Sequence, residues 1–153
     1  PRFASLIAYE LGGIPLVGVV SAPALQLRWW AGLGLGAARS YGGRVTQARA
    51  SATRRWARAR GLVVDELEPG TIEDLVAEGV RWSRHGVSWE AVRVSSGEVD
   101  FAVARGEVWD VAPLGVIVTE AGGKFGSTIL EDGQVRLVAS NRHIAEQAQT
   151  HLL

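Results

Sequence analysis

The side chain with the clearest potential for chemistry is Asp110, which stands before an almost wholly apolar run that ends at Gly122-Gly123. Aspartate is a strong helix N-cap, and Pro113 is tolerated in a first helical turn, where its missing N–H has no intrahelical partner. The glycine pair offers the left-handed position at which helices commonly end. The pattern therefore predicts a buried helix over Asp110–Ala121, whose terminal carboxylate either caps the helix or holds a ligand against it.

Other residues that often carry chemistry lack suitable partners. The histidines His85, His143 and His151 form no i, i+4 pair and the chain has no cysteine, so a zinc site is not indicated. The run Ser95-Ser96-Gly97 lacks the G-x-S-x-G spacing of a nucleophile elbow. The glycines at positions 32, 34 and 36 miss the G-x-G-x-x-G spacing of a dinucleotide loop, and we interpret them as a hairpin or bend.

Composition and charge limit the class of protein. A chain of 153 residues, 47% of them hydrophobic, can form one domain with a real core. No apolar run approaches a membrane span, and the absence of cysteine is compatible with the cytoplasm, where we expect the protein to act.

The charges are segregated, although the net charge is zero. Residues 1–60 carry nine arginines and one acid, whereas the remainder carries seven basic and fifteen acidic residues. The basic run from Arg39 to Arg60 matches no nucleic-acid-binding motif, so nucleic acid is not the expected partner. We interpret this run as a solvated surface or a rim that guides an anionic small molecule.

Hydrophobic alternation predicts antiparallel β-structure in the first third of the chain, followed by mixed strands and helices. Gln47–Arg60 is interpreted as a loop with a short helix. The predicted strands are Phe3–Glu10, Ile14–Ser21, Leu25–Ala31, Leu62–Asp65, Glu98–Ala104, Lys124–Thr128 and Val135–Ser140. Besides Asp110–Ala121, the predicted helices are one that Thr71 caps, Ser88–Ser96 and Ile144–Leu152. Because no βαβ rhythm repeats, the fold class is an α/β (α+β) layered sandwich.

The run Trp109–Phe125, WDVAPLGVIVTEAGGKF, resembles the C-terminal signature of the inositol monophosphatase superfamily of magnesium-dependent phosphomonoesterases. Upstream, Gly18–Leu25 and Arg28–Ala31 are similar to a hairpin of the bacterial histidinol-phosphate phosphatases in this superfamily. Further matches follow in the same order at Gly86, Trp89, Gly97, Asp100 and Ala139–Asn141. The resemblance spans nearly the whole chain and implies the sandwich of the sugar-phosphatase type.

The resemblance also implies a site in which Mg²⁺ ions activate water for attack on a phosphate ester. It makes Asp110 a metal ligand and assigns no catalytic residue to this chain. The substrate-binding candidates are Gly86, Arg105 and Glu107. An acid that commonly meets the substrate falls near Arg105, where the chain is one residue short, and Glu107 either replaces it or is a solvent-exposed loop acid. The implied reaction converts histidinol phosphate to histidinol plus phosphate, in histidine biosynthesis; inositol 1-phosphate or another sugar phosphate is the alternative substrate.

Two metal-ligand segments of the family, Gly-Glu-Glu and Asp-Pro-Ile-Asp-Gly-Thr, do not occur in the sequence. Residues 1–153 are therefore expected to be a single partial domain, the C-terminal half of such a phosphatase without its N-terminal metal motifs. One carboxylate does not assemble a two-metal site, so the isolated chain is expected to be inactive unless a partner supplies the rest. A non-catalytic binding or scaffold remnant of the family is the other alternative. An exposed sheet edge favours a homo-oligomer, such as a dimer.

Overall fold

A computed structural model describes residues 3–84 and 86–153; His85 lies outside the described residues. The elements fall into two five-stranded sheets and a small set of helices. The strands are β1 Ser5–Leu11, β2 Ile14–Ala22, β3 Leu27–Gly32, β4 Gly36–Tyr41, β5 Arg44–Ala48, β6 Arg60–Val64, β7 Arg81–Ser83, β8 Phe101–Gly106, β9 Gly123–Ile129 and β10 Val135–Asn141. The helices are α1 Thr71–Ala77, α2 Val108–Glu120 and α3 Ala145–Leu152, with 3₁₀ helices at Pro23–Leu25, Trp56–Arg58 and Ser88–Ser96.

The first sheet, β1 to β5, is an antiparallel meander in chain order. Gly12-Gly13 joins β1 to β2 with φ of +58° and +77°, a region that glycine enters without steric cost. The glycines at 32, 34 and 36 surround the turn between β3 and β4, so their interpretation as a hairpin is confirmed. The predicted β1, β2 and β3 lie close to their predicted places.

The sequence pattern does not predict β4 and β5, and Gln47–Arg60 is only partly the loop that we expected. Arginine, serine and glutamine occupy many positions of these two strands and hide the alternation. Their pairing depends instead on the Gly42-Gly43 turn and on the neighbouring strand β3. The short helix expected in this stretch is the 3₁₀ helix Trp56–Arg58.

The second sheet has the strand order β7-β6-β8-β10-β9. Strand β6 pairs in parallel with β7 on one side and with β8 on the other, whereas the remaining pairs are antiparallel. From β6 the chain runs to β7 on one side of it and then returns to β8 on its other side. The carboxyl ends of three parallel strands therefore meet at a point where the strand order reverses, which is where open α/β sheets bind ligands.

Helix α2 lies between the two sheets and packs against β2 and β3 on one side and β9 and β10 on the other. Leu114 and Ile117 are fully buried in this core. Gly18 allows the close contact with the first sheet, because a Cβ there would lie 2.6 Å from the Pro113 carbonyl oxygen. The 3₁₀ helix Ser88–Ser96 shares this layer, where a helix was predicted, and ends at Gly97 with φ of +70°.

The opposite face of the second sheet is also covered. A second core cluster joins Phe101, Val103 and Val138 of the sheet to Leu75 of α1 and to Ile144 of the turn that leads into α3. The layers are therefore sheet, helix, sheet and helix, and the predicted α+β layered sandwich is confirmed. One detail differs from the prediction, since Gly70 rather than Thr71 is the N-cap of α1.

Candidate active site

The site lies at the carboxyl ends of the three parallel strands. Asp65 follows β6, Arg84 follows β7, and Arg105 is the penultimate residue of β8. These residues and Gly86 line an open pocket of about 460 Å³, together with Val63, Val64 and Glu66. Two of the substrate-binding candidates from the sequence, Gly86 and Arg105, are thus brought to one pocket.

Asp110 lies in the first turn of α2 and is not among the residues that line this pocket. It is also not the N-cap that the sequence pattern predicts. The N-cap is Glu107, with φ −97° and ψ 158°, and the helix begins at Val108. Asp110 is therefore the third helical residue and forms a capping box with Glu107. Its Oδ2 accepts the Glu107 backbone N–H at 3.1 Å. The predicted start of the helix is wrong because Pro113 stands inside the helix rather than in its first turn.

The Asp110 carboxylate is held against the end of β8. A Cβ on Gly106 would lie 2.7 Å from Asp110 Oδ2 and 3.4 Å from the Ser88 Cβ. Glycine at position 106 therefore lets the carboxylate and the start of the Ser88–Ser96 helix approach the same backbone. The first turn of α2 is open to solvent, with Trp109 69% exposed. The predicted burial holds for the middle of the helix, Pro113–Val118 apart from Gly115, whereas Thr119 is exposed.

Glu107 and Arg105 are joined by a residue that sequence reasoning missed. Gln134, at the end of the turn between β9 and β10, donates from Nε2 to Glu107 Oε1 at 3.2 Å and accepts Arg105 Nε at 2.6 Å. Asp132 in the same turn pairs with the Arg105 guanidinium and accepts the Gln134 backbone N–H at 3.1 Å. No local motif marks these two residues, because the register between β8 and β10 brings them to the site.

Gly86 has a conformation that requires glycine. Its φ is +115°, and a Cβ there would lie 2.6 Å from Glu90 Oε2. Glu90 is buried below it and pairs with Arg93 at 3.6 Å. The Gly86 backbone therefore reaches the pocket while a carboxylate fills the space that a larger residue would take.

The far wall of the pocket depends on a buried ion pair. Asp65, whose side chain is fully inaccessible, accepts Arg136 Nε on its Oδ2 at 2.5 Å. Arg136 also donates to the Glu66 carbonyl oxygen at 3.0 Å. Arg136 on β10 thus reaches across β8 and fastens the chain that leaves β6.

Asp100 and Asn141 match the family blocks and anchor a loop instead of lining the pocket. Asp100 accepts Ser51 Oγ at 2.5 Å and the Arg60 backbone N–H at 2.8 Å. Burial opposes ionisation of this carboxyl, but these hydrogen bonds, a further one from Thr53 and the charge of Arg60 lower its pKa overall. Asn141 donates to Ser51, and its Oδ1 accepts the N–H groups of His143 and Ile144, whereas the N-cap of α3 is Ile144 itself.

The donor chemistry of Asp110 suits a hard cation, since Mg²⁺ prefers carboxylate oxygens and water. Among residues 3–84 and 86–153, no group of three or more histidine or carboxylate side chains converges as a metal cluster would. The described residues therefore fit Mg²⁺ as a source of one carboxylate ligand, Asp110.

The fold is that of an α+β sandwich protein with an open pocket at the ends of parallel strands and a carboxylate in the first turn of the helix between its sheets. The profile of the Inositol monophosphatase family matches residues 1–152. The chain belongs to this family. Within the part of the chain that the structure describes, no helix has the length and apolar character to cross a membrane.

Two relatives are similar in sequence. The histidinol-phosphatase of Mycobacterium tuberculosis is 37% identical over 135 residues, which cover 83% of this chain and 52% of that protein. The histidinol-phosphatase of Streptomyces coelicolor is 36% identical over 137 residues, covering 82% of this chain and 52% of that protein. The chain therefore spans about half the length of these relatives.

Solved structures share the fold. Mycobacterium tuberculosis SuhB superposes with a TM-score of 0.80 and 25% identity, covering 99% of this chain and 63% of that chain. The Thermotoga maritima IMPase TM1415 superposes with a TM-score of 0.77 and 26% identity, covering 99% of this chain and 61% of that chain. The predicted relationship to this superfamily, close to histidinol-phosphatase, is confirmed.

Proposed function

We propose that this chain is the C-terminal half of a phosphatase that releases phosphate from a phosphorylated small molecule, with histidinol phosphate as the first candidate substrate. The observation that carries the proposal is the position of Asp110. Its carboxylate lies in the first turn of α2, against Gly106 at the end of β8. Gly106 directly follows Arg105, which lines the pocket at the strand-order reversal of the second sheet. A helix N-terminus favours bound anions such as phosphate, and a carboxylate beside it suits a cation that bridges to that phosphate.

Each candidate residue has a role in this proposal. Asp110 would contribute one oxygen ligand to Mg²⁺, an ion that would supply activation of water and neutralisation of the phosphate charge. The Gly86 backbone, freed of any side chain, and the Arg105 guanidinium contact the alcohol portion of the substrate. Glu107 orders the first turn of α2 and is connected through Gln134 to Arg105, which lines the pocket.

The remaining metal ligands would come from outside these 153 residues. The sequence lacks the Gly-Glu-Glu and Asp-Pro-Ile-Asp-Gly-Thr segments of the family, and the chain covers 52% of the length of both histidinol-phosphatases. Either an N-terminal half of the same polypeptide or a partner chain, such as another copy in a homo-oligomer, would complete the site. We expect the protein to act in the cytoplasm.

The substrate assignment has one rival. Inositol 1-phosphate is the second candidate, because solved structures of the inositol monophosphatase type share 25–26% of their residues with this chain. The pocket lining combines acidic and basic side chains and so excludes neither alcohol by charge.

The test is a phosphate-release assay of the full-length protein on both substrates. We expect hydrolysis of histidinol phosphate that requires Mg²⁺ and stops when EDTA is added. Faster release from inositol 1-phosphate would move the substrate assignment to the rival. Release that persists in EDTA, or no release at all, would contradict the proposed chemistry and favour a non-catalytic role.

A further inference from the structure

The Gln134 side chain contacts Arg105 and Glu107, two residues that are far from it in the sequence. It precedes β10 in the turn between β9 and β10, remote in sequence from α2, yet its side chain joins the end of β8 to the N-cap of α2. Its Nε2 donates to Glu107 Oε1 at 3.2 Å, and its Oε1 accepts Arg105 Nε at 2.6 Å.

The orientation of this amide follows from the chemistry of its partners. An ionised Glu107 carboxylate can only accept a hydrogen bond, and the Arg105 guanidinium can only donate one. The NH₂ group of Gln134 must therefore face Glu107 and its oxygen must face Arg105. Asp132 fixes the other end by pairing with Arg105 and by accepting the Gln134 backbone N–H at 3.1 Å.

The Gln134 amide is connected to Asp110 through Glu107. The Glu107 backbone N–H donates to Asp110 Oδ2 at 3.1 Å, so a shift of Glu107 displaces the donor that orients the Asp110 carboxylate. Gly106 leaves space for this oxygen, because a Cβ at position 106 would lie 2.7 Å from Asp110 Oδ2. Hydrogen bonds thus connect the Gln134 amide to the N-cap residue Glu107, and Glu107 to the Asp110 carboxylate.

We propose that Gln134 is a positioning residue, which holds Glu107 and thereby aims the Asp110 carboxylate at the cation of the site. The inference rests on the proposed function, in which Asp110 is a metal ligand. Residues that orient metal ligands typically change metal affinity by about ten- to a hundredfold when they are replaced. Gln134 acts through Glu107, so its effect belongs at the lower end of that range.

The test measures Mn²⁺ affinity of the full-length protein by calorimetry, together with kcat and KM for histidinol phosphate. In Gln134→Met, which keeps the side-chain length without its hydrogen bonds, we expect the Mn²⁺ dissociation constant to rise about tenfold. Gln134→Glu keeps the acceptor for Arg105 but opposes Glu107 with a like charge, and should weaken Mn²⁺ at least as much. The exposed Gln147 of α3 provides the matched control, and Gln147→Met should leave the affinity unchanged.

A double-mutant cycle separates positioning from a structural role. In a Glu107→Ala background the link is already broken, so Gln134→Met should then change Mn²⁺ affinity less than about twofold. An equal effect in both backgrounds, or a lower melting temperature with unchanged Mn²⁺ affinity, would overturn the inference. Mn²⁺ binding that depends on Gln134 without any phosphate release would refute the proposed function alone. Absence of both Mn²⁺ binding and phosphate release would refute both.

Discussion

The two sheets of this protein use their faces differently. The first sheet packs one face against α2. On its other face Ile7 and Tyr9 are 62% and 59% exposed. The second sheet is covered on both faces, by α2 on one and by α1 and α3 on the other. Only the second sheet carries parallel strands, and the pocket lies at their ends. The second sheet, which is covered on both faces, therefore supports the pocket, whereas the first sheet forms one wall of the core.

The largest expected effect is the loss of a buried side chain in the second sheet. Phe101 is fully buried against Gly61, where any Cβ would lie 2.1 Å from the Phe101 ring. Phe101→Ala should lower the free energy of unfolding by about 3–5 kcal/mol, because it leaves a cavity in the core. Urea denaturation of the full-length protein provides the measurement.

The matched replacement in the first sheet, Ile7→Ala, should change the free energy of unfolding by less than about 0.5 kcal/mol, because the side chain is exposed. A loss comparable to that of Phe101→Ala would break the comparison, since it would show that this face is covered in the full-length protein.

The next effect distinguishes the two ends of α2, each of which carries an acid. Asp110 lies in the first turn, and we expect Asp110→Asn to weaken Mn²⁺ binding and phosphate release by about a hundredfold, the upper end of the effect of replacing a residue that orients a metal ligand. Calorimetry and a phosphate-release assay on the full-length protein measure the two quantities. Unchanged Mn²⁺ affinity would mean that Asp110 serves only the capping box.

The acid at the other end of α2 should act on stability alone. The Glu120 carboxylate accepts the Gly34 and Gly36 backbone N–H groups, both at 2.9 Å, and so fastens the turn between β3 and β4. Glu120→Ala should lower the free energy of unfolding by about 1–2 kcal/mol, because two N–H donors lose a charged acceptor. Mn²⁺ affinity should stay constant, and a change in it would show that the two ends of the helix are coupled.

The smallest expected effect is a pH dependence from Asp100, which ties the loop after the first sheet to the second sheet. Its folded pKa lies below the ordinary value of 3.8, so the stabilisation is fully present above that value and is lost as pH falls through the folded pKa. Thermal melts between pH 6 and pH 3 should therefore show a steeper acid destabilisation in the parent than in Asp100→Asn. Parallel curves for the two proteins would contradict this assignment.

Several site features were predictable from local pattern. Asp110 stands out because a carboxylate precedes a long apolar run, and Gly86 and Arg105 are identified by resemblance. The exact start of α2 was not predictable from Pro113, because this proline stands inside the helix rather than in its first turn. Gln134 and Asp132 carry no local signal, since only the pairing of β10 with β8 brings them to Arg105.

By itself, the sequence determined the family, the α+β class, most of the strands and helices, and the carboxylate on which the proposed chemistry depends. These properties follow from periodicity and from short motifs, which are local along the chain. The tertiary structure decided the strand order of the second sheet, the pocket at its reversal, and the network from Asp132 through Gln134 to Glu107. Each of these depends on contacts between residues that are far apart in the chain. Such contacts form only when the whole core packs.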